Sequence, residues 1–135
     1  MTQAYVNDIA YKIVGCAIEV HKHIGPGLLE SVYEKCLKEE LRLNGLNYTS
    51  QIEVPISYKG ADLAGNLRLD LLVEDIIIVE LKSVEGLLPV FSAQLLSYLK
   101  LTNKPKGLLI NFNSTNIVNH GLIPMVSDTF NSLPK

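Results

Sequence analysis

The chain has 135 residues, 47% hydrophobic and 19% charged, the size and balance of one folded domain with one core; a disordered, fibrous or low-complexity chain is excluded. A formal net charge of −2 and a pI near 5.9 exclude a protein that coats nucleic acid through a broad basic face. They do not exclude an acidic centre whose positive charge toward phosphate is supplied by a metal ion.

The two cysteines, Cys16 and Cys36, fall in apolar helical patterns with no CxxC and no histidine spacing that would complete a zinc site, so both are expected as reduced core thiols. The start, MTQAYVNDIAYK, lacks a basic segment followed by an apolar run. No stretch of about 18 apolar residues occurs. A cytoplasmic protein without a membrane span is expected.

In chain order, Val6, Ile9, Ile13, Val14, Ala17, Val20 and Ile24 recur at three- and four-residue steps, which predicts a helix with one buried stripe up to Gly25-Pro26-Gly27. A second helix follows at once. Its apolar side holds Leu28, Leu29, Val32, Tyr33, Cys36, Leu37 and Leu41, and it stops at Asn44-Gly45, where glycine can turn left-handed.

The period then changes to two. Ile52, Val54 and Ile56 alternate with Glu53, Pro55 and Ser57, predicting a strand from Gln51 to Tyr58, with Pro55 at a sheet edge because it lacks an N–H. A turn at Lys59-Gly60-Ala61-Asp62 leads to a second strand, Ala64 to Val73. A tight turn at Glu74-Asp75 leads to a third, Ile76 to Leu81, apolar enough to be buried on both faces. Pro89 to Leu101 returns to helical spacing with Val90, Ala93, Leu96, Tyr98 and Leu101 apolar, and Gly107 to Phe112 forms a strand whose separation by a helix implies a parallel crossover. Asn113 to Lys135 is less regular, with room for a strand or a short helix and an end expected to fray. No linker or repeat interrupts the chain, so residues 1–135 are read as a single domain.

Three groupings could carry chemistry. Asp70 lies on the second strand, and Glu80-Leu81-Lys82 closes the third. Residues two apart on a strand share a face, so Glu80 and Lys82 project together while Leu81 offers only its backbone carbonyl. The hairpin through Glu74-Asp75 brings Asp70 close to Glu80 in register. Two carboxylates and one carbonyl suit Mg²⁺, which prefers oxygen ligands and retains waters, and a nearby lysine can orient a water or stabilise developing negative charge. Opposite charges on adjacent strands also serve merely to solvate an edge. Glu30, three residues before Tyr33, is either a first-turn carboxylate favoured by the helix dipole or a further metal ligand. Gln94 and Tyr98, four apart on the last helix, either face a substrate or reflect a core tyrosine with its hydroxyl at the rim.

These strings together resemble the GxxExxY proteins, a branch of the PD-(D/E)XK nuclease-like superfamily. The likeness runs from Tyr5 to Asn113 through Gly27-Leu28-Leu29-Glu30-Ser31-Val32-Tyr33, RLDLLVEDIIIVELKSV, QLLSYL and GLLINFN. It implies an α/β, restriction-endonuclease-like core ordered α-β-β-β-α-β around a mixed sheet. It implies Asp70 and Glu80 as metal ligands with Leu81 and Glu30 completing the site, Lys82 as the catalytic lysine, and Gln94, Tyr98 and Tyr33 at the substrate. The function implied is a Mg²⁺-dependent nuclease acting on DNA, with Mn²⁺ able to substitute. The alternative is a catalytically silent module that binds nucleic acid or a protein partner. A third reading, an oligomeric scaffold such as a homodimer, rests on the edge at Pro55 and on the apolar run Leu122-Ile123-Pro124-Met125. His21, His23 and His120 have no partner motif and are expected at the surface or core edge.

Overall fold

The computed structural model describes residues 1–63 and 67–135. Helix α1 (Gln3–Ile24) starts where the Thr2 side chain accepts the Tyr5 N–H and ends at Gly25, whose φ of 68° lets its N–H return to the His21 carbonyl. Its buried stripe is the expected one, extended by Ala10 and Cys16, while Val14 and Ile24 are only partly covered. Helix α2 (Glu30–Leu43) buries Tyr33, Leu37 and Leu41. It begins later than the apolar pattern suggests, because Leu28 and Leu29 lie in the preceding loop, 42% and 73% exposed.

The main sheet is mixed and has five strands in the order β1-β4-β5-β6-β7. Strand β1 (Tyr48–Glu53), β4 (Arg68–Val73) and β5 (Ile77–Lys82) form antiparallel pairs. Helix α3 (Pro89–Thr102) then crosses over to β6 (Lys106–Asn111), parallel to β5 as expected. The α-β-β-β-α-β order is therefore present. Two apolar layers enclose the sheet. Leu71, Val73, Ile77, Val79 and Leu81 pack toward α1 and α2, whereas Leu72, Ile78 and Leu109 pack toward Leu95, Tyr98 and Leu99 of α3. Each fully buried aliphatic side chain of this kind contributes about 1.5–3 kcal/mol relative to exposure.

Four expectations need correction. The strand expected from Gln51 to Tyr58 is two strands: Pro55, with no N–H to donate, separates β1 from β2 (Ile56–Tyr58), which leaves the main sheet to pair with β3 (Ala61–Leu63) in a separate hairpin. The turn expected at Lys59 to Asp62 narrows to Lys59 and Gly60, both at positive φ, so Ala61 and Asp62 are already strand; the expected start of the next strand at Ala64 lies outside the described residues. On α3 the buried positions are Leu95, Tyr98 and Leu99, while Val90 is 62% and Leu101 37% exposed, because the helix presents the face one residue round from the one periodicity favoured. Finally, the C-terminal segment is ordered. A π turn (Ile117–Gly121) leads into β7 (Leu122–Val126), antiparallel to β6, and then α4 (Asp128–Asn131). The end does not fray, since Gln3 donates its backbone N–H to the Pro134 carbonyl at 2.8 Å and its side-chain amide to the Phe130 carbonyl at 3.2 Å.

No helix among the described residues is long and apolar enough to cross a membrane. Cys16 and Cys36 are free thiols, the first buried, with its pKa raised to about 11 by burial and then by the charge of Glu40.

Candidate functional site

The site forms where β4 and β5 part. The hairpin turn, with Glu74 and Asp75 both at positive φ, fixes the register Val73↔Ile77, Leu72↔Ile78 and Leu71↔Val79. The next pair in that count is Asp70 and Glu80, and there backbone pairing gives way to side chains. The Asp70 N–H donates to Glu80 Oε1 at 3.2 Å, and the Leu81 N–H donates to Asp70 Oδ2 at 2.8 Å. Asp70 thus satisfies a backbone donor that a regular ladder would have paired.

Sheet geometry is irregular at the same place. Leu69 packs in the α3-side cluster together with Leu72, three residues on, which strict alternation forbids. Gln51, opposite Asp70 in the register between β1 and β4, has φ of 52°. Its carbonyl accepts from the Arg68 guanidinium at 3.2 Å, and its side-chain amide donates to Glu34 of α2 at 2.9 Å. The left-handed residue of β1 thus lies across from the residue of β4 that carries the carboxylate.

Alternation along β5 places Glu80 and Lys82 on the α3 side with Ile78, and Leu81 inside the opposite layer. Phe112 donates its N–H to the Lys82 carbonyl at 2.9 Å, so Lys82 faces β6 along the chain and Leu81, one residue back, directs its N–H and C=O toward β4 and Asp70. Glu80 is 5% exposed. Burial raises its pKa to about 9, helped by the negative charge of Asp70 and by a side-chain hydrogen bond to it, against the opposing pull of Lys82.

Glu30 opens α2 on the other side of the sheet. It is exposed as a residue, but its carboxyl is partly desolvated, which raises its pKa; Asp70 raises it further and Lys82 lowers it. The charges of Asp70 and Lys82 therefore reach Glu30 at the start of α2. Among the described residues, however, no three His, Cys, Asp or Glu side chains lie close enough to make a ready cation cage. Asp70 and Glu80 are in contact, and Glu30 stands outside that contact.

The donor set suits a hard divalent cation. Two carboxylates touch in a desolvated place, the pKa of Glu80 raised first by burial and then by the charge of Asp70, and a carbonyl from Leu81 faces the same side. A cation between them would relieve both the burial cost and the repulsion, and two or three oxygens are the usual protein share for a hydrated Mg²⁺.

The remaining expected residues divide. Tyr98 is 4% exposed, packed in the α3-side cluster, and its pKa is raised by burial and then by the charges of Glu80 and Asp70, which places its hydroxyl by the acidic pair. Gln94, one turn earlier, is exposed. Tyr33 lies elsewhere, fully buried, its ring stacked on Phe112 with centroids 4.5 Å apart. Its hydroxyl donates to the Gly25 carbonyl at 2.6 Å and accepts the Leu28 N–H at 3.1 Å. The hydroxyl expected at a substrate is engaged with the loop that leads into Glu30.

That loop has a second tie, which the sequence did not suggest. Ser83 Oγ, directly after Lys82, donates to the Leu28 carbonyl at 2.5 Å. Gly27, at φ of 95°, supplies the left-handed turn between the two anchors. Phe91, also unforeseen, lies in the first turn of α3 with its ring under the Lys82 ammonium. Its spacing to Gln94 and Tyr98, three and then seven residues, was the available signal, since those positions share one helix face.

A family model for the PD-(D/E)XK nuclease superfamily matches residues 7–121. The chain belongs to the PD-(D/E)XK nuclease superfamily. No curated protein and no solved structure matches it. The five-stranded mixed sheet flanked by helices is the restriction-endonuclease-like fold of that superfamily, and Asp70, Glu80 and Lys82 occupy the matched span. Superfamily membership points to nuclease-type chemistry on nucleic acid, and PD-(D/E)XK nucleases generally use divalent metals.

Proposed function

We propose that this PD-(D/E)XK chain is a Mg²⁺-dependent nuclease of the GxxExxY type, a single domain that hydrolyses phosphodiester bonds of DNA and accepts Mn²⁺ in place of Mg²⁺. The observation that carries the reading is the buried contact between Asp70 and Glu80 at the point where β4 leaves β5, with Lys82 on the same strand face as Glu80. In this reading Asp70, Glu80 and the Leu81 carbonyl would hold the ion, and Glu30 would complete the site from α2. The bound ion supplies charge neutralisation at phosphate and a more acidic water.

The chain's own groups then have separate tasks. Lys82, an ammonium with three donors, orients the attacking water and donates to the phosphate oxygen on which negative charge grows. Ile78, fully buried on the same strand face as Glu80, keeps the floor of the site dry, so these interactions act at low dielectric. The Tyr98 hydroxyl and the exposed Gln94 amide, one turn apart, meet the nucleic-acid strand; Tyr33 serves the loop before Glu30.

The test is cleavage of labelled single-stranded and double-stranded DNA by the purified protein with Mg²⁺ or Mn²⁺. Cleavage that requires the metal and is lost in Lys82→Ala is expected. A wild-type protein that cuts neither form of DNA under either metal overturns the catalytic reading and leaves the silent binding module.

A further inference from the structure

Lys82 stands among carboxylates yet pairs with none of them. Its charge reaches Glu30 and Glu80, but among the described residues the ion pairs are Lys12–Asp8, His23–Glu19, Lys38–Glu34, Arg42–Glu39 and Lys104–Asp75. The ammonium lies instead over the Phe91 ring, 4.6 Å from its centroid. A lysine head on a flexible four-carbon stem is free to swing toward nearby anions, so something must favour the position it takes. The negative face of an aromatic ring attracts a cation at this distance. Phe91 is itself fixed, half-buried against the cluster that includes Leu95 and Tyr98, in the first turn of a helix that begins with Pro89.

We propose that Phe91 is a positioning residue: its ring holds the Lys82 ammonium beside the Asp70–Glu80 pair rather than on it, so that the carboxylate oxygens stay available to a divalent cation. The inference rests on the metal-dependent reading above. Without the ring, Lys82 is the nearest cation able to neutralise the acidic pair, and it competes with the metal for the same oxygens.

Calorimetric titration of Mn²⁺ into metal-free protein tests this without reference to cleavage. Phe91→Leu is expected to weaken Mn²⁺ binding about five- to tenfold, the scale of a partly desolvated cation–π contact. Phe91→Tyr, which keeps the ring, is expected to bind as the wild type does. In a Lys82→Met background, with no ammonium to compete, adding Phe91→Leu is expected to cost nothing further. Equal affinity of wild type and Phe91→Leu, or the same loss with Lys82 absent as with it present, overturns the inference and leaves Phe91 as core filling. A wild type that takes up no Mn²⁺ overturns the metal reading, and the inference with it; the wild-type titration alone separates this failure from the other.

Discussion

Tyr33→Phe decides between the two roles open to that residue. The ring would stay, stacked on Phe112, and only the hydroxyl would go, leaving the Gly25 carbonyl and the Leu28 N–H without the partners they now have at 2.6 and 3.1 Å. Each net hydrogen bond contributes about 0.5–1.5 kcal/mol, and unpaired groups that water reaches recover part of it. Leu28 is 42% exposed and Gly25 half-buried, so water offsets some of the loss. The expected destabilisation is about 1–2 kcal/mol, a fall of roughly 3–8 °C in Tm for a chain of this size. Urea unfolding followed by circular dichroism measures it, with an unchanged m value showing that the unfolded state is the same. Mn²⁺ affinity should also fall, through the loosened approach to Glu30. A Tyr33→Phe protein as stable as the wild type, but weaker in DNA binding, refutes the loop-anchor account and returns Tyr33 to the substrate.

Glu80→Gln should make the metal-free protein more stable at pH 7. The folded-state pKa of Glu80 is raised from 4.5 to about 9, so the native form holds a proton that unfolding releases. The cost is absent below the unfolded value, grows as pH rises from there, and is complete above the folded one. The slope is at most about 1.4 kcal/mol per pH unit, and the variant's advantage should reach about 2–3 kcal/mol at pH 7 and vanish near pH 4, as thermal melts across that range would show; an advantage that grows as pH falls contradicts the burial of this carboxyl. Glu30→Gln should weaken Mn²⁺ binding less than Glu80→Gln does, since Glu30 lies outside the carboxylate contact, and calorimetry that ranks them the other way places the ion nearer α2. Ser83→Ala should cost about 1 kcal/mol in urea unfolding, and stability equal to the wild type would remove Ser83 as the second tie of the Leu28 loop.

Periodicity read the helices and the two central strands because each buries a regular stripe or an unbroken apolar run. Ile77 to Leu81 is buried on both faces, and nothing local competes with that assignment. It failed where a non-local contact decides. Tyr48, Thr49 and Ser50 carry no alternation, yet they pair with Val73, Leu72 and Leu71 because β4 offers a free edge. The segment Leu122 to Val126 lies in the stretch that looked less regular in sequence, yet it forms the edge strand β7, where Pro124 costs the ladder little. The order of the C-terminus comes from Gln3, more than a hundred residues away.

At the site, the nearness of Asp70 to Glu80 was legible from the hairpin, but its register was not: a two-residue turn at Glu74 and Asp75 would set Asp70 against Val79, and Ile76, the third turn residue, shifts the count so that Glu80 comes opposite. The break in alternation at Leu69 did not follow, nor did the left-handed Gln51 in the neighbouring strand, because neither has a signal in the local pattern. Tyr33 looked like a substrate residue by its place in a motif, and its hydroxyl proved committed to backbone eight and five residues earlier. Ser83 and Phe91 were hidden for a related reason: a serine after a strand and an apolar residue on a helix have default readings, and only coordinates show what lies against them.

Asp70 has two duties at one carboxylate, and the difference between them can be measured. Oδ2 accepts the N–H of Leu81, a fully buried residue, so Asp70 is part of the fold before any cation arrives. Asp70→Ala would orphan that donor and cost about 1–3 kcal/mol. Asp70→Asn keeps an oxygen where the N–H needs one, and it removes the charge that helps hold Glu80 protonated. The asparagine variant should therefore fold as stably as the wild type or more so, and still lose Mn²⁺ binding, whereas the alanine variant should lose both. Should Asp70→Asn bind Mn²⁺ with wild-type affinity, the contact between Asp70 and Glu80 is a device for ending the β4–β5 ladder and the cation site lies elsewhere. Should it instead unfold as readily as Asp70→Ala, the negative charge itself, and not the accepting oxygen, is what the Leu81 N–H requires.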